Sequence, residues 1–263
     1  MTETVKESFS TLFSNRTVLV LAVIGGVLAT ILYFLFSGIV SATVSLFLPA
    51  SPTPSMSTGL ASSGFGLGGV VAAIVLSLVI AFVSASVISA VAMKSDIGGA
   101  VRNGSSRYLW FLITDMIVVG ILSVSTILAV VPAVLVPVGS LLLGSFAAVL
   151  VALSIIGFIL TILFSVRLFI APVEAVVGGK GPIESIKSSW NATKGSFFSI
   201  LGVLFAMGIA VWVISGIATA VFSAVGVPAI GTLIGMVFGS SFTVAAVLIY
   251  NALGGMAPAM AKK

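Results

Sequence analysis

Residues 171–198, APVEAVVGGKGPIESIKSSWNATKGSFF, place Glu174, Lys180, Glu184, Lys187 and Lys194 in one short stretch of a chain that is 60% hydrophobic and only 6% charged. The stretch reads as a polar hinge between two membrane-spanning blocks. Pro172 ends one apolar helix, Gly178, Gly179 and Gly181 make a turn, and Pro182 suits the first position of a new helix, where its missing N–H is not needed. In that helix Ile183, Ile186 and Trp190 recur at three- and four-residue spacing while Glu184, Lys187 and Lys194 carry charge. The pattern predicts an amphipathic segment in the headgroup layer with Trp190 as its anchor. Lys180, Ile183, Ile186, Lys187, Trp190 and Lys194 are therefore the expected contacts with lipid. The plainer alternative is a solvated loop.

The run Pro172, Glu174, Gly178 to Gly181, Ser189, Trp190, Thr193 and Gly195 resembles a pattern found after the fourth helix of a broad group of prokaryotic six-helix membrane proteins. These are similar to the membrane domain of glycerophosphodiester phosphodiesterases, and many stand alone in archaea without the phosphodiesterase domain. The resemblance implies a six-helix membrane fold. It carries over no catalytic residue.

Composition points to the same class. A mean hydropathy of +1.37 over 263 residues leaves no stretch polar enough for a separate soluble domain. Apolar runs of roughly 20 residues satisfy their backbone as helices in a bilayer, whereas a β-barrel shows alternating segments of about 10. The expected fold is an all-α polytopic bundle. The chain has no cysteine and no histidine, which removes disulfides, thiolate chemistry, the commonest metal ligand and the commonest general base. No cofactor and no enzymatic activity are expected. The net charge of +5 sits on residues flanking helices, as membrane orientation requires, so nucleic acid is not an expected partner.

Residues 1–16 put Val5, Phe9, Leu12 and Phe13 on one helical face and read as a short interfacial helix. The remainder, 17–263, is expected to hold six spans at about 17–48, 67–93, 108–131, 138–170, 197–222 and 230–251. The first is far longer than a signal-peptide apolar run and must tilt, project or break near Gly38. Loops are expected at 49–66, at 94–107 and around Pro132 and Pro137. Gly98 and Gly99 faintly echo Gly178 and Gly179, suggesting a weak repeat of spans two and three in spans four and five. Small-residue rows recur: Gly69 to Ala85, then Gly144, Ala148 and Ala152, then Gly202, Ala206 and Ala210. The strongest is Gly231, Gly235 and Gly239, which is expected to pack helices closely.

Six spans with a cytoplasmic N-terminus put every Lys and Arg on the inner side, which orients the protein in the cell membrane with both termini inside. Asn15, Asn103 and Asn191 open glycosylation-type sequons on that side and are read as chance matches. Asp115 and Arg167 fall inside apparent spans near the inner interface. A structural ion pair is the leading expectation, with proton or cation uptake by Asp115 as the functional alternative.

Three functional classes follow. A non-catalytic scaffold, lipid-organising element or accessory subunit would work through its inner belt, with membrane lipids and a membrane-complex partner or a second copy as partners. A channel or transporter would use Asp115, although polar pore-lining residues are sparse. An intramembrane lipid enzyme has only Asp115 and Glu174 to work with and no histidine, cysteine or second close acid.

Overall fold

The computed structural model describes residues 2–28, 30, 31, 67–142 and 144–254, and among them every regular element is a helix. In chain order these are α1 (Thr2–Ser14), α2 (Arg16–Leu28), α3 (Leu67–Met93), α4 (Ile97–Leu142), α5 (Gly144–Leu168), α6 (Ala171–Val176), α7 (Pro182–Ala192), a 3₁₀ turn (Lys194–Ser196), α8 (Phe197–Ala224) and α9 (Pro228–Ala252). Four helical segments are long and apolar enough to cross a membrane, or five if α1 and α2, bent by 84° at Asn15, count as one span. This fits a multi-pass membrane protein. Most of the first expected span, its break near Gly38, the 49–66 loop and the C-terminal lysines lie outside the described residues.

The long helices run as antiparallel hairpins. Gly104 of α4 abuts Ser86 of α3, and the Tyr108 hydroxyl donates to the Leu78 carbonyl at 3.0 Å. Gly157 of α5 lies against the backbone of Leu128 and Ala129 in α4. A Cβ on Gly231 of α9 would come within 2.6 Å of Thr219 Cα in α8, and one on Gly235 within 3.0 Å of Ser215 Oγ. Gly239 breaks the expected row, because no described residue lies within 4 Å of where its Cβ would be. The other rows fare unevenly. Ala81 and Ala85 are buried, but Ala148, Ala152 and Ala206 are exposed.

Two loop expectations are overturned. The segment 94–107 is not a loop: only 94–96 leave the helix, with Lys94 at φ 48, and α4 begins at Ile97. Asp96 accounts for the early start, since its Oδ1 accepts the Gly99 N–H at 3.1 Å, an N-cap bond that satisfies an otherwise orphaned donor. Nor do Pro132 and Pro137 bound a turn. They lie inside α4, which turns back only after Leu142. Pro132 removes the bond to the Leu128 carbonyl, and this is where Gly157 lets the backbone of α5 touch α4. Likewise α5 ends at Leu168, ahead of Pro172, which sits in the first turn of α6.

The packed core gathers at the end of the bundle where the charged residues lie. There Ile88, Phe111, Val166, Ile170, Val173 and Met207 form one buried cluster with residues of α9. Against it, α1 buries Leu12 beside Val18, Ala90, Ala100 and Val244, worth about 2 kcal/mol for such a side chain. Phe9 and Phe13 stand 6.0 and 5.5 Å from the Phe238 ring. Away from this end the helices expose Met116, Val124, Val134, Phe158, Phe205 and Trp212. An apolar shell of that extent suits lipid rather than water.

Candidate functional site

The polar hinge folds into a compact set of contacts at the charged end of the bundle. α6 is buried along most of its length and carries Glu174 inward, where the residue is only 3% exposed. A carboxylate this deep needs a paired cation and hydrogen-bond donors. The following turn supplies them. Gly179 takes a left-handed φ of +66, open to glycine at no steric cost, and the chain doubles back. Lys180 Nζ then meets Glu174 Oε2 at 2.8 Å, an ion contact without hydrogen-bond alignment. Ser188 completes the set: its Oγ accepts from Lys180 Nζ at 2.6 Å and donates to Glu174 Oε1 at 2.7 Å. It is the one ion pair among the described residues.

A second set of contacts seats α7. The Ser189 hydroxyl donates to the Arg167 carbonyl at 2.7 Å, capping one of the orphan carbonyls at the end of α5. Arg167 Nη1 donates to the Trp190 carbonyl at 3.4 Å, and the guanidinium lies 5.5 Å from the Trp190 ring centre and 5.6 Å from that of Phe197. A cation here faces the carbonyl ends of two helices at once, which their dipoles favour. Thr193 Oγ1 donates to the Ser189 carbonyl at 2.9 Å and closes the last turn.

These contacts correct the expected Asp115–Arg167 pair, which is not formed. Val118 packs with Leu168 across the α4–α5 hairpin, which sets Asp115 about one helical turn, some 6 Å, off the level of Arg167. Arg167 is held by α7 instead. Asp115 stays half-buried on α4 without an ion pair.

The residues expected at lipid divide into two groups. Ile186 and Trp190 pack inward beside Val118, Leu168 and Ala171, with Trp190 tilted 6.1 Å from Phe164, and Lys180 is committed to Glu174. Ile183, Lys187 and Lys194 are exposed. The apolar stripe was a sound signal for an amphipathic helix, but it flanks Ser185 and Ser189, which are fully buried and define the inner face. Residue type misled here: two serines four apart read as polar, whereas both bond to backbone carbonyls, Ser185 to Lys180 at 3.3 Å. The Glu174–Lys180 pair was also missed. Its signal was an acid and a base on either side of a Gly-Gly turn.

A cleft of about 700 Å³ opens beside α1, between Glu7, Lys94, Asp96 and Asn251, and there Ser95 Oγ and Asn251 Oδ1 are buried without partners. Among the described residues no group of three or more Asp and Glu is placed to hold a metal ion. Comparison with known protein families, with curated proteins and with solved structures finds no match.

Proposed function

We propose a six-span protein of the cell membrane, both termini cytoplasmic, that acts without catalysis as a scaffold, lipid-organising element or accessory subunit. Its working surface is the inner belt of residues 1–16, 94–107 and 172–196. The fifth and sixth spans of this reading are α3 and the helix entered through α2, with α1 and α7 lying along the interface. The resemblance of 172–195 to the membrane domain of glycerophosphodiester phosphodiesterases belongs to the same proposal. One observation carries it: the Glu174–Lys180–Ser188 set ties α6 to α7 while Ile183, Lys187 and Lys194 are exposed. A fixed apolar and basic surface suits anionic headgroups, at about 1 kcal/mol per basic residue near the membrane. Lys180 contributes to holding the platform rather than to its charge.

A second reading, a channel or transporter, draws on Asp115, which lacks an ion-pair partner. One paired assay separates the two. Solute and ion flux is measured through reconstituted liposomes, and co-purified lipid is compared between wild type and a Lys187→Gln, Lys194→Gln double variant. Loss of anionic lipid with no flux supports the belt. Saturable flux abolished by Asp115→Asn, with lipid retention unchanged, supports transport instead.

A further inference from the structure

At the junction of α7 and α8 lies a cavity of about 380 Å³, lined by Arg167, Lys194, Gly195, Ser196, Phe197 and Phe198 among others, with no acidic residue in its wall. Arg167 is more than half buried at the end of a span, yet no carboxylate neutralises it, because the ion pair among the described residues is Glu174 with Lys180. The Trp190 carbonyl and two aromatic rings cover part of the guanidinium, and among the described residues its charge is left without a counter-ion beside the cavity. Its Nε is shut off from solvent and has no acceptor, although Nη1 is used by Trp190.

The backbone adds to the demand. α8, a 28-residue helix, starts at this cavity straight out of the 3₁₀ turn, and Ser196 at its N-cap makes no side-chain capping bond. The positive end of the helix dipole and two basic side chains therefore converge on one space. Phe198, 80% exposed, stands at the rim as an apolar group beside it.

We propose that this cavity binds a phosphate group, that of an anionic phospholipid, with Arg167, Lys194 and the α8 N-terminus as its donors. Planar guanidinium, ammonium and backbone N–H groups together match tetrahedral phosphate oxygens. The volume accommodates a headgroup. The assignment rests on the reading of the inner belt as a lipid-facing surface and names one site within it.

The full-length chain, stripped of lipid in detergent, is titrated separately with a short-chain phosphatidylglycerol, with the phosphate-free diacylglycerol of the same chains, and with inorganic phosphate. Bound ligand is counted by native mass spectrometry. One phosphatidylglycerol is expected to bind, with affinity reduced about fivefold by Lys194→Gln and at least as much by Gly195→Asp. Gly195 has nothing within 4 Å of where a Cβ would be, so the aspartate adds charge without a clash. Lys187→Gln, a belt residue outside the cavity wall, should lower affinity less than Lys194→Gln does. Saturation by phosphatidylglycerol with no competition from inorganic phosphate assigns the lipid, and equal saturation by both assigns soluble phosphate to the same donors. Equal binding of phosphatidylglycerol and diacylglycerol would overturn the site and the belt reading together. A loss in Lys187→Gln as large as in Lys194→Gln would overturn the site alone.

Discussion

The Arg167 guanidinium lies 5.5 Å from the centre of the Trp190 ring and donates to the Trp190 carbonyl at 3.4 Å, so one side chain ties the end of α5 to the end of α7. Cation–ring contacts in partly desolvated settings are worth up to about 2 kcal/mol. Arg167→Gln and Trp190→Ala should each lower stability in detergent, with a coupling of about 1–2 kcal/mol in the double-mutant cycle. Arg167→Lys should recover little, because an ammonium lacks the planar stack. The same cycle between Asp115 and Arg167 should be additive; coupling there would restore the ion pair that the structure does not form.

Removing Lys180 leaves the Glu174 carboxylate buried without its cation and hydrogen-bonded to Ser188. Lys180→Met should therefore cost about 3 kcal/mol, at the low end for a broken buried pair because Lys180 keeps a third of its side chain exposed. Combining it with Glu174→Gln should restore much of the loss, since no unpaired charge remains. Ser188→Ala should cost about 1–2 kcal/mol by leaving Glu174 Oε1 unmet. Chemical unfolding in detergent reads all three. If the double variant is worse than Lys180→Met alone, the pair is not what holds the hinge.

Hydropathy made the helices legible, because a run of twenty apolar residues has one stable backbone in lipid. Helix ends were harder. Pro132 and Pro137 look like punctuation because each removes a backbone hydrogen bond, yet α4 runs on through both to Leu142, and Gly157, distant in sequence, brings α5 against it near Pro132. In the same way Asp96 reads as a loop charge until its carboxylate is seen to cap α4. The hinge was located correctly, and so was its amphipathic helix. Its inner face was not, because Ser185, Ser188 and Ser189 spend their hydroxyls on partners that the local pattern does not reveal.

The proposed orientation rests on the placement of basic residues and has a direct check, since the sequence contains no cysteine. Ser105 is exposed on the first turns of α4, and Ser57 falls in the expected outer loop, outside the described residues. An impermeant thiol reagent added outside intact cells should label Ser57→Cys at once and Ser105→Cys only after permeabilisation. The reverse pattern would invert the protein and place the inner belt outside.

The glycines of α9 offer a ranked test in which each substitution is judged by what its new methyl would touch. Gly231→Ala meets the Thr219 backbone at 2.6 Å, which cannot rotate away, so α8 and α9 must separate. Gly157→Ala faces the same obstacle at Leu128 and Ala129. Both should lower stability by about 1–3 kcal/mol, the usual cost of overpacking. Gly235→Ala should cost less, because the Ser215 hydroxyl 3.0 Å away can change rotamer. Gly239→Ala should be neutral or gain up to about 1 kcal/mol, since the methyl enters a cavity of about 280 Å³ and alanine favours the helix. A Gly239→Ala variant as damaged as Gly231→Ala would mean that Gly239 packs against something beyond the described residues. Crosslinking in the native membrane would then have to show a second copy lost in that variant; if no copy is captured in wild type, the oligomer explanation fails as well.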